Sequence, residues 1–271
     1  MKSLLIKSAI ASTVVLYLAT FTRPVMAASF TISIEDAGKQ IANYSNLDSY
    51  SYHVQNFDAS TLKTGYSATG FQWTGVGSYT NTLIVDKNVY GGAGGTGKYF
   101  DVDSKISGND KDGKPNQTFS TLTLATEQKY FGLWWSAGDA NNVLEFYSKG
   151  NLVEKITTAD VASYIGKLAN SGGYKGNPNL QKDNNTTEPY AFINFYDVAG
   201  TFDQVKFTNI GGTGFESDNH TVATGYKSIT GNVIRAVPES SSVLGVFAIG
   251  FVGATSVLTR GVKKKSVLQL S

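Results

Sequence analysis

The stretch Tyr130-Phe131-Gly132-Leu133-Trp134-Trp135 consists of apolar and aromatic residues around one glycine. Residues 136–142 follow as a polar turn, and residues 143–147 are again apolar and aromatic. A short apolar run that is bounded by turn residues and rich in aromatic side chains is typical of a buried strand. We therefore expect two strands here, within a β-rich domain.

Similar short runs recur along the chain. Phe30-Thr31-Ile32-Ser33-Ile34 alternates apolar and polar residues with the period of two that is expected of a half-buried strand. Further strands are predicted at residues 53–57, 71–74, 82–85, 99–102, 120–124, 152–156, 190–196, 202–208 and 214–222.

Few helices are expected. Thr157 or Thr158 can cap one substantial helix over residues 159–168, a single helical turn is predicted at 37–42, and residues 172–189 are predicted to be a long surface loop. Regularly spaced short strands with one helix predict an antiparallel β-sandwich, jelly-roll-like in its connections.

The composition agrees with this fold class. The chain has 29 glycines, 15 tyrosines and 15 phenylalanines but only five prolines, which suits short strands joined by tight turns. It has no cysteine. Disulfides, thiolate metal sites and cysteine nucleophiles are therefore excluded, and the domain must be stabilised by its packed core.

The N-terminus has the three parts of a secretory signal peptide. Lys2 and Lys7 precede an apolar stretch at residues 10–21, and Val25-Met26-Ala27 supplies small residues before Ala28. We expect the Sec translocon to export the chain and signal peptidase to cut between Ala27 and Ala28, so that residues 1–27 are removed. An uncleaved membrane anchor is the alternative.

The C-terminus carries a second predicted targeting signal. Pro238-Glu239-Ser240 leads into an uncharged apolar run at residues 243–258, followed by Arg260 and the cluster Lys263, Lys264, Lys265. A helix over 16 residues spans about 24 Å, short of the roughly 30 Å of a bilayer core. We predict a marginal transmembrane helix at about residues 243–259, with residues 266–271 cytoplasmic and the domain on the outer side of the membrane. A buried core helix is the alternative.

Proline-glutamate, a short apolar helix and a basic end together resemble the PEP-CTERM sorting signal of bacterial exosortase substrates. Pro238 and Glu239 match its first two letters, and Ser240 stands in place of the third. The resemblance implies that an exosortase-type membrane transpeptidase recognises residues 237–265. It also implies transient retention in the inner membrane, with the domain in the periplasm, and then delivery to the cell surface or the extracellular space.

Two internal blocks extend the resemblance. Trp134-Trp135-Ser136-Ala137-Gly138-Asp139 and Phe215-Glu216-Ser217-Asp218-Asn219-His220 are similar to the globular region of exosortase-dependent surface proteins from photosynthetic bacteria. This implies a class of export substrate without an established reaction, and it supplies no catalytic residue.

Charge limits the partners of the exported span. Residues 28–236 contain 16 lysines and arginines against 20 acidic residues, so their formal charge is −4, although the whole chain carries +2. Nucleic acid is therefore not an expected partner, because its phosphates require a clustered basic face. The glycines of residues 91–97 match nucleotide-binding patterns, but a predicted strand follows them where those patterns require a helix.

Two binding hypotheses remain open for the exported span. Asp139, Asn141, Glu216, Asp218 and Asn219 offer the hard oxygen ligands of a structural calcium site. The simpler interpretation is that these side chains cap turns. Separately, Trp73, Trp134 and Trp135 could stack on the sugars of an extracellular polysaccharide. Adjacent strand residues face opposite ways, so at most one of Trp134 and Trp135 can face a given ligand.

Enzymatic activity is the less favoured alternative. No G-x-S-x-G nucleophile motif occurs, and His220 and Asp218, two residues apart on a predicted strand, would share a face without a nucleophile. A glycosidase would need two carboxylates from Glu145, Glu216 and Asp218 to meet. The sequence thus predicts a non-enzymatic binding or structural protein.

Overall fold

Two antiparallel sheets make up the part of the chain that the computed structural model describes, residues 30–103, 117–180, 185–211 and 214–236. Within these ranges there are fifteen strands, one α-helix and three short 3-10 turns. The strands are β1 (Phe30–Ile34), β2 (Tyr52–Gln55), β3 (Gly65–Ser67), β4 (Phe71–Trp73), β5 (Gly77–Thr80), β6 (Thr82–Asp86), β7 (Lys98–Asp101), β8 (Phe119–Gln128), β9 (Tyr130–Ser136), β10 (Asn142–Ser148), β11 (Asn151–Thr157), β12 (Ala191–Asp197), β13 (Phe202–Asn209), β14 (Glu216–Ala223) and β15 (Asn232–Arg235); the helix is α1 (Thr158–Ile165), and the turns are Tyr44–Asn46, Ala93–Gly95 and Ser171–Tyr174.

The larger sheet has nine strands. Eight of them follow the order β15-β1-β12-β9-β14-β7-β6-β3, and β2 pairs with the far end of β14. β14 therefore has β9 on one side, and on its other side β7 near its start and β2 near its end. The first and last strands, β1 and β15, are neighbours at one edge.

The smaller sheet has six strands in the order β11-β10-β13-β8-β5-β4, and it packs face to face on the larger one. Phe207 of β13 illustrates the interface. Its ring lies 5.0 Å from Phe100 and 6.0 Å from Phe131, both on the larger sheet. The coarse prediction of an antiparallel β-sandwich is therefore confirmed.

The central strands of the larger sheet are buried on both faces. In β9, Phe131, Leu133 and Trp135 point into the space between the sheets. Tyr130 and Trp134 point outward and are also buried. The outer face is covered by loop residues such as Ala42, Leu47 and Tyr190. This double burial explains why the sequence of β9 is continuously apolar, since alternation with polar residues is expected only when one face meets water.

Helix α1 begins where the sequence predicted. The Thr157 hydroxyl accepts a hydrogen bond from the Asp160 backbone N–H, and the Asp160 carboxylate accepts one from the Thr157 backbone N–H, which is a capping box. Val161 and Ile165 face the core. The helix ends at Ile165, three residues before the predicted end.

Three strands were not predicted, and one predicted turn is absent. β3, β5 and β15 are three to four residues long and contain Gly, Ser, Thr or Asn, so they carry almost no periodic signal. β5 exists because it pairs between β4 and β8, which buries Tyr79. The helical turn predicted at 37–42 does not form. Gly38 has φ of +82°, which is incompatible with a right-handed helix.

The predicted membrane segments lie outside the described residues. Within the described ranges, no helix has both the length and the apolar character to cross a bilayer. The signal peptide at 1–27 and the apolar segment at 243–259 therefore stay predictions from the sequence.

Truncating Phe207 tests the sandwich. Phe207→Ala removes a buried ring that touches both sheets, so we expect the free energy of unfolding to fall by about 3–5 kcal/mol. Phe119→Ala is the matched control, since that ring is 41% exposed. The control should cost less than about 1 kcal/mol. Urea unfolding of both variants measures the difference, and equal losses would contradict the described core.

Candidate functional site

An irregularity in β14 sorts its side chains between two environments. The pairing with β9 shifts register between Asp218 and Thr221, and Asn219 has φ of +50°. The extra residue is a β-bulge, which reverses the alternation of faces. Ser217 and His220 consequently point into the core, and Asp218 points to the outer face. The prediction that Asp218 and His220 share a face is wrong for this reason.

His220 lies at the centre of the core. Its Nδ1 lies 2.9 Å from the Tyr79 hydroxyl and its Nε2 lies 2.9 Å from Ser217 Oγ. Its ring stacks on Phe207 at 5.0 Å and meets the edge of Phe57. Burial lowers its pKa to about 3, so the imidazole is neutral at pH 7.

The Ser217–His220 hydrogen bond has the composition of a hydrolase dyad without its access. Both side chains are fully buried between the sheets, together with Tyr79. A nucleophile must reach a substrate carbonyl, and this serine faces aromatic rings instead. The pair therefore organises the core.

The residues predicted to bind calcium are divided by the structure. Asp139 Oδ1 accepts the backbone N–H of Asn141 at 2.6 Å, which is a turn cap as the simpler interpretation predicted. Glu216 lines one cavity, while Asp218 and Asn219 line another. Burial raises the pKa of Glu216, and Asp139 is among the carboxylates that add to this shift. Asp139 therefore belongs to the surroundings of Glu216.

The Asp218 carboxylate receives hydrogen bonds from the backbone of this chain. Its two carboxylate oxygens accept the backbone N–H groups of Ala93 at 2.8 Å and of Asn219 at 2.6 Å. Asn219 in turn donates to the backbone carbonyl of Gln40. Burial nevertheless raises the pKa of Asp218 to about 7. Asp218 thus anchors the bulge to the glycine-rich loop.

Backbone N–H groups of the glycine-rich loop, residues 91–97, donate hydrogen bonds to side chains of the same chain. Ala93 N–H donates to Asp218, Gly94 N–H to Gln40, and Lys98 N–H to Asp58 at 2.7 Å. These three backbone donors are bound to side chains of this chain and are therefore not available to a phosphate. β7 follows the loop, which confirms the predicted strand.

The cavity that Glu216 lines lies on the outer face of the larger sheet and is acidic. Its volume is about 450 Å³, and its lining includes the carboxyl groups of Asp101, Asp103, Glu188 and Glu216. None of the described residues that line it is lysine, arginine or histidine. We call this space the acidic cavity.

Asp101 and Glu216 form the floor of the acidic cavity. A Cβ added to Gly214 would lie 2.3 Å from Glu216 Oε1 and 3.1 Å from Asp101 Oδ1, so the two oxygens are close neighbours across this glycine. Burial and then the negative charge of Asp103 raise the pKa of Asp101 to about 7. Burial followed by Asp101 raises the pKa of Glu216 as well. The two groups share a low-dielectric site in which ionisation of both is costly.

Glu145 does not join these carboxylates. It lies on β10 of the smaller sheet, where it contacts Lys155 at 3.3 Å and Lys206 at 3.6 Å. Glu216 and Asp218 belong to the larger sheet. A glycosidase pair of Glu145 with either of them is therefore not assembled in this structure.

The three tryptophans are buried. Trp135 lies in the core and donates to Asn142 Oδ1 at 3.3 Å, and Trp134 packs against Tyr190 under the outer loops. They face opposite sides of the sheet, as predicted. Trp134 is 2% exposed and Trp73 is 8% exposed. None of the three offers the open ring face that sugar stacking requires.

Some predicted residues lie outside the described ranges. Ala27, Ala28, Pro238, Glu239, Arg260 and the lysines at 263–265 are among them, so the sorting signal stays a prediction. Within the described part of the chain, no three histidine or acidic side chains are gathered closely enough to hold a metal ion by themselves.

Sequence reasoning missed Asp101 and Ser136. Asp101 was counted as a strand residue, because nothing in the local pattern shows that it lies beside Glu216. Only the pairing of β7 with β14, more than 110 residues apart in the sequence, brings them together. The chain matches no family model, and no curated protein matches it significantly. The assignment of function therefore rests on the chain's own residues.

The buried imidazole makes a testable contribution to pH dependence. The unfolded histidine takes up a proton near pH 6.5, but the folded one does so only near pH 3. Stability from His220 is therefore complete above about pH 6.5 and is lost as the pH falls toward 3. We expect His220→Gln to remove a slope of up to about 1.4 kcal/mol per pH unit from urea unfolding measured between pH 7 and 4. His53→Gln, in the exposed strand β2, is the control, and an unchanged slope in His220→Gln would refute the buried neutral state.

Proposed function

We propose that this chain is an exported, non-enzymatic surface or extracellular-matrix protein that is sorted through residues 237–265. The observation that carries the proposal is the position of the two ends of the described domain. β1 and β15 are paired neighbours, with Ile32 opposite Arg235 and Ile34 opposite Asn232. The described chain therefore begins and ends at one edge of the larger sheet, and removal of either predicted targeting segment takes no described strand with it.

The last strand is held firmly just before the predicted motif. Ile234 of β15 packs in the core. The Arg235 guanidinium donates to the carboxylate of Glu154 on β11, which ties the edge of the larger sheet to the edge of the smaller one. Pro238 follows three positions later. A transpeptidase acting there would cut after the last described strand, and the released domain would retain every described strand.

The condition of the polar groups supports a non-enzymatic role. His220 and Ser217, which could form a dyad, are enclosed in the core. Glu145 forms salt bridges with two lysines. Both carboxylate oxygens of Asp218 accept hydrogen bonds from backbone N–H groups. These groups stabilise the fold, and this favours a structural or binding role.

The finer fold assignment belongs to the same proposal. From β8 to β10 the chain passes from the smaller sheet to the larger and back, and β12, β13 and β14 alternate in the same way. Such crossings between two sheets support the jelly-roll-like connectivity predicted from the sequence.

Changing the motif tests the sorting proposal. In a host that contains an exosortase, we expect Pro238→Ala combined with Glu239→Ala to leave the uncut precursor in the inner membrane, because the recognised dipeptide is lost. Fractionation followed by mass spectrometry of the C-terminus measures this. Ser241→Ala combined with Ser242→Ala is the matched control and should reach the surface in the processed form. Normal delivery of the first double variant would reject the proposal.

A further inference from the structure

Three adjacent strands place a row of oxygen-bearing side chains under the acidic cavity. Ser217 of β14 pairs with Phe100 of β7, and the next step of this antiparallel register puts Glu216 opposite Asp101. On its other side Glu216 pairs with Ser136 of β9. Directly opposed residues of antiparallel strands project to the same face with Cβ atoms about 5 Å apart. Asp101, Glu216 and Ser136 therefore form one transverse row.

Two members of this row lack the partners that burial normally requires. Ser136 is 1% exposed, and its hydroxyl has no hydrogen-bond partner among the described residues. Glu216 is 8% exposed, and the one donor recorded for its carboxylate within the described ranges is its own backbone N–H. A carboxylate has about four lone-pair positions, and a buried polar group without partners costs about 1–3 kcal/mol or more if it is charged. The Glu216 carboxylate lines the cavity, so these unmet positions point to a polar occupant.

The charge of the occupant follows from the lining. The neighbouring carboxyl groups of Asp101 and Glu216 face the acidic cavity, and none of its described lining residues is lysine, arginine or histidine. Burying neighbouring carboxylates without a counter-ion is unfavourable, and a bound cation removes that penalty. An anion would add to it, and a neutral ligand would leave it in place.

We propose that the acidic cavity binds a divalent cation of the hard, oxygen-preferring type, with calcium as its representative. Asp101 and Glu216 supply the anionic ligands. Among the described residues no three acidic side chains converge, so water completes the coordination, and Ser136 stands beside Glu216 as its neighbour in the row. Calcium accepts six to eight oxygen ligands in flexible geometry, whereas magnesium demands a near-ideal octahedron.

This site differs from the calcium site predicted from the sequence. It keeps Glu216, replaces Asp218 and Asn219 by Asp101, and places Asp139 in the surroundings. Gly214 fits the same account, since a Cβ there would displace the Glu216 carboxylate and crowd that of Asp101. The proposal concerns the folded domain, so it holds or fails independently of how the chain is sorted.

Calcium binding is tested first on the full-length chain without mutation. After treatment with a chelator, we expect calcium chloride at about 10 mM, above the submillimolar to millimolar Kd of extracellular calcium modules, to raise the melting temperature. Terbium, which has similar ligand preferences, should show luminescence that is sensitised by Tyr90 and Tyr99 of the lining and lost when calcium displaces it. No thermal shift together with no sensitised luminescence would overturn the proposal and favour a shared proton between the two carboxyl groups.

Charge-removing variants locate the ion. Glu216→Gln and Asp101→Asn should each lower calcium affinity about tenfold or more, because affinity depends on the number of charged ligands. In chelator, both variants should melt no lower than the unmodified chain, since the unpaired charge is gone. Ser136→Ala should weaken binding less than either.

Asp218→Asn is the matched control. It removes the same charge from the same strand, but its oxygens already accept backbone donors. The control should keep the calcium response whatever its own melting temperature. Loss of the response in Asp218→Asn with retention in Glu216→Gln and Asp101→Asn would refute the assignment.

Discussion

The positive φ of Asn219 is the constraint on which the arrangement of β14 depends. A regular strand would place Asp218 and His220 on one face. Either the Asp218 carboxylate would then lie among the aromatic rings of the core, or the His220 imidazole would lie outside the core. The bulge sends each to its own environment. Asparagine tolerates the left-handed region better than most residues, and its side chain also binds the Gln40 carbonyl, so the irregularity is held from both sides.

The structure treats its buried acids in two different ways. The Asp218 carboxylate accepts hydrogen bonds from the backbone N–H groups of Ala93 and Asn219, and these bonds offset the cost of burying it. Asp101 receives the Phe215 N–H at 3.0 Å, but its neighbour Glu216 receives no donor from another described residue. The contrast matters because both kinds of carboxyl lie on one face of one sheet. Local hydrogen bonding, and not burial alone, separates a structural acid from one that is available to a ligand.

Much of the fold could be predicted from local pattern, whereas the site could not. Long apolar strands such as β9 and β12, and the Thr157 cap of α1, have signals contained within a few residues. Strands of the kind of β5 are created by their neighbours and carry little signal of their own. The site depends on pairings between β7, β14 and β9, which no single-sequence periodicity reveals. The carboxylates predicted to act together were grouped by residue type. Strand order places Glu145 on the smaller sheet, and Asp218, although it shares β14 with Glu216, lines a different cavity.

The pairing of the first strand with late ones also sets the order of events as the chain folds. β1 has no sheet neighbour until β12 and β15 are available, about 160 and 200 residues later in the sequence. Such distant closure slows folding, and it leaves the N-terminal edge open until the C-terminal strand arrives. A chain that emerges from a pore with its N-terminus first would therefore remain incomplete until almost all of it has crossed. In the proposed export, the larger sheet would therefore be completed only after the C-terminal strand has crossed.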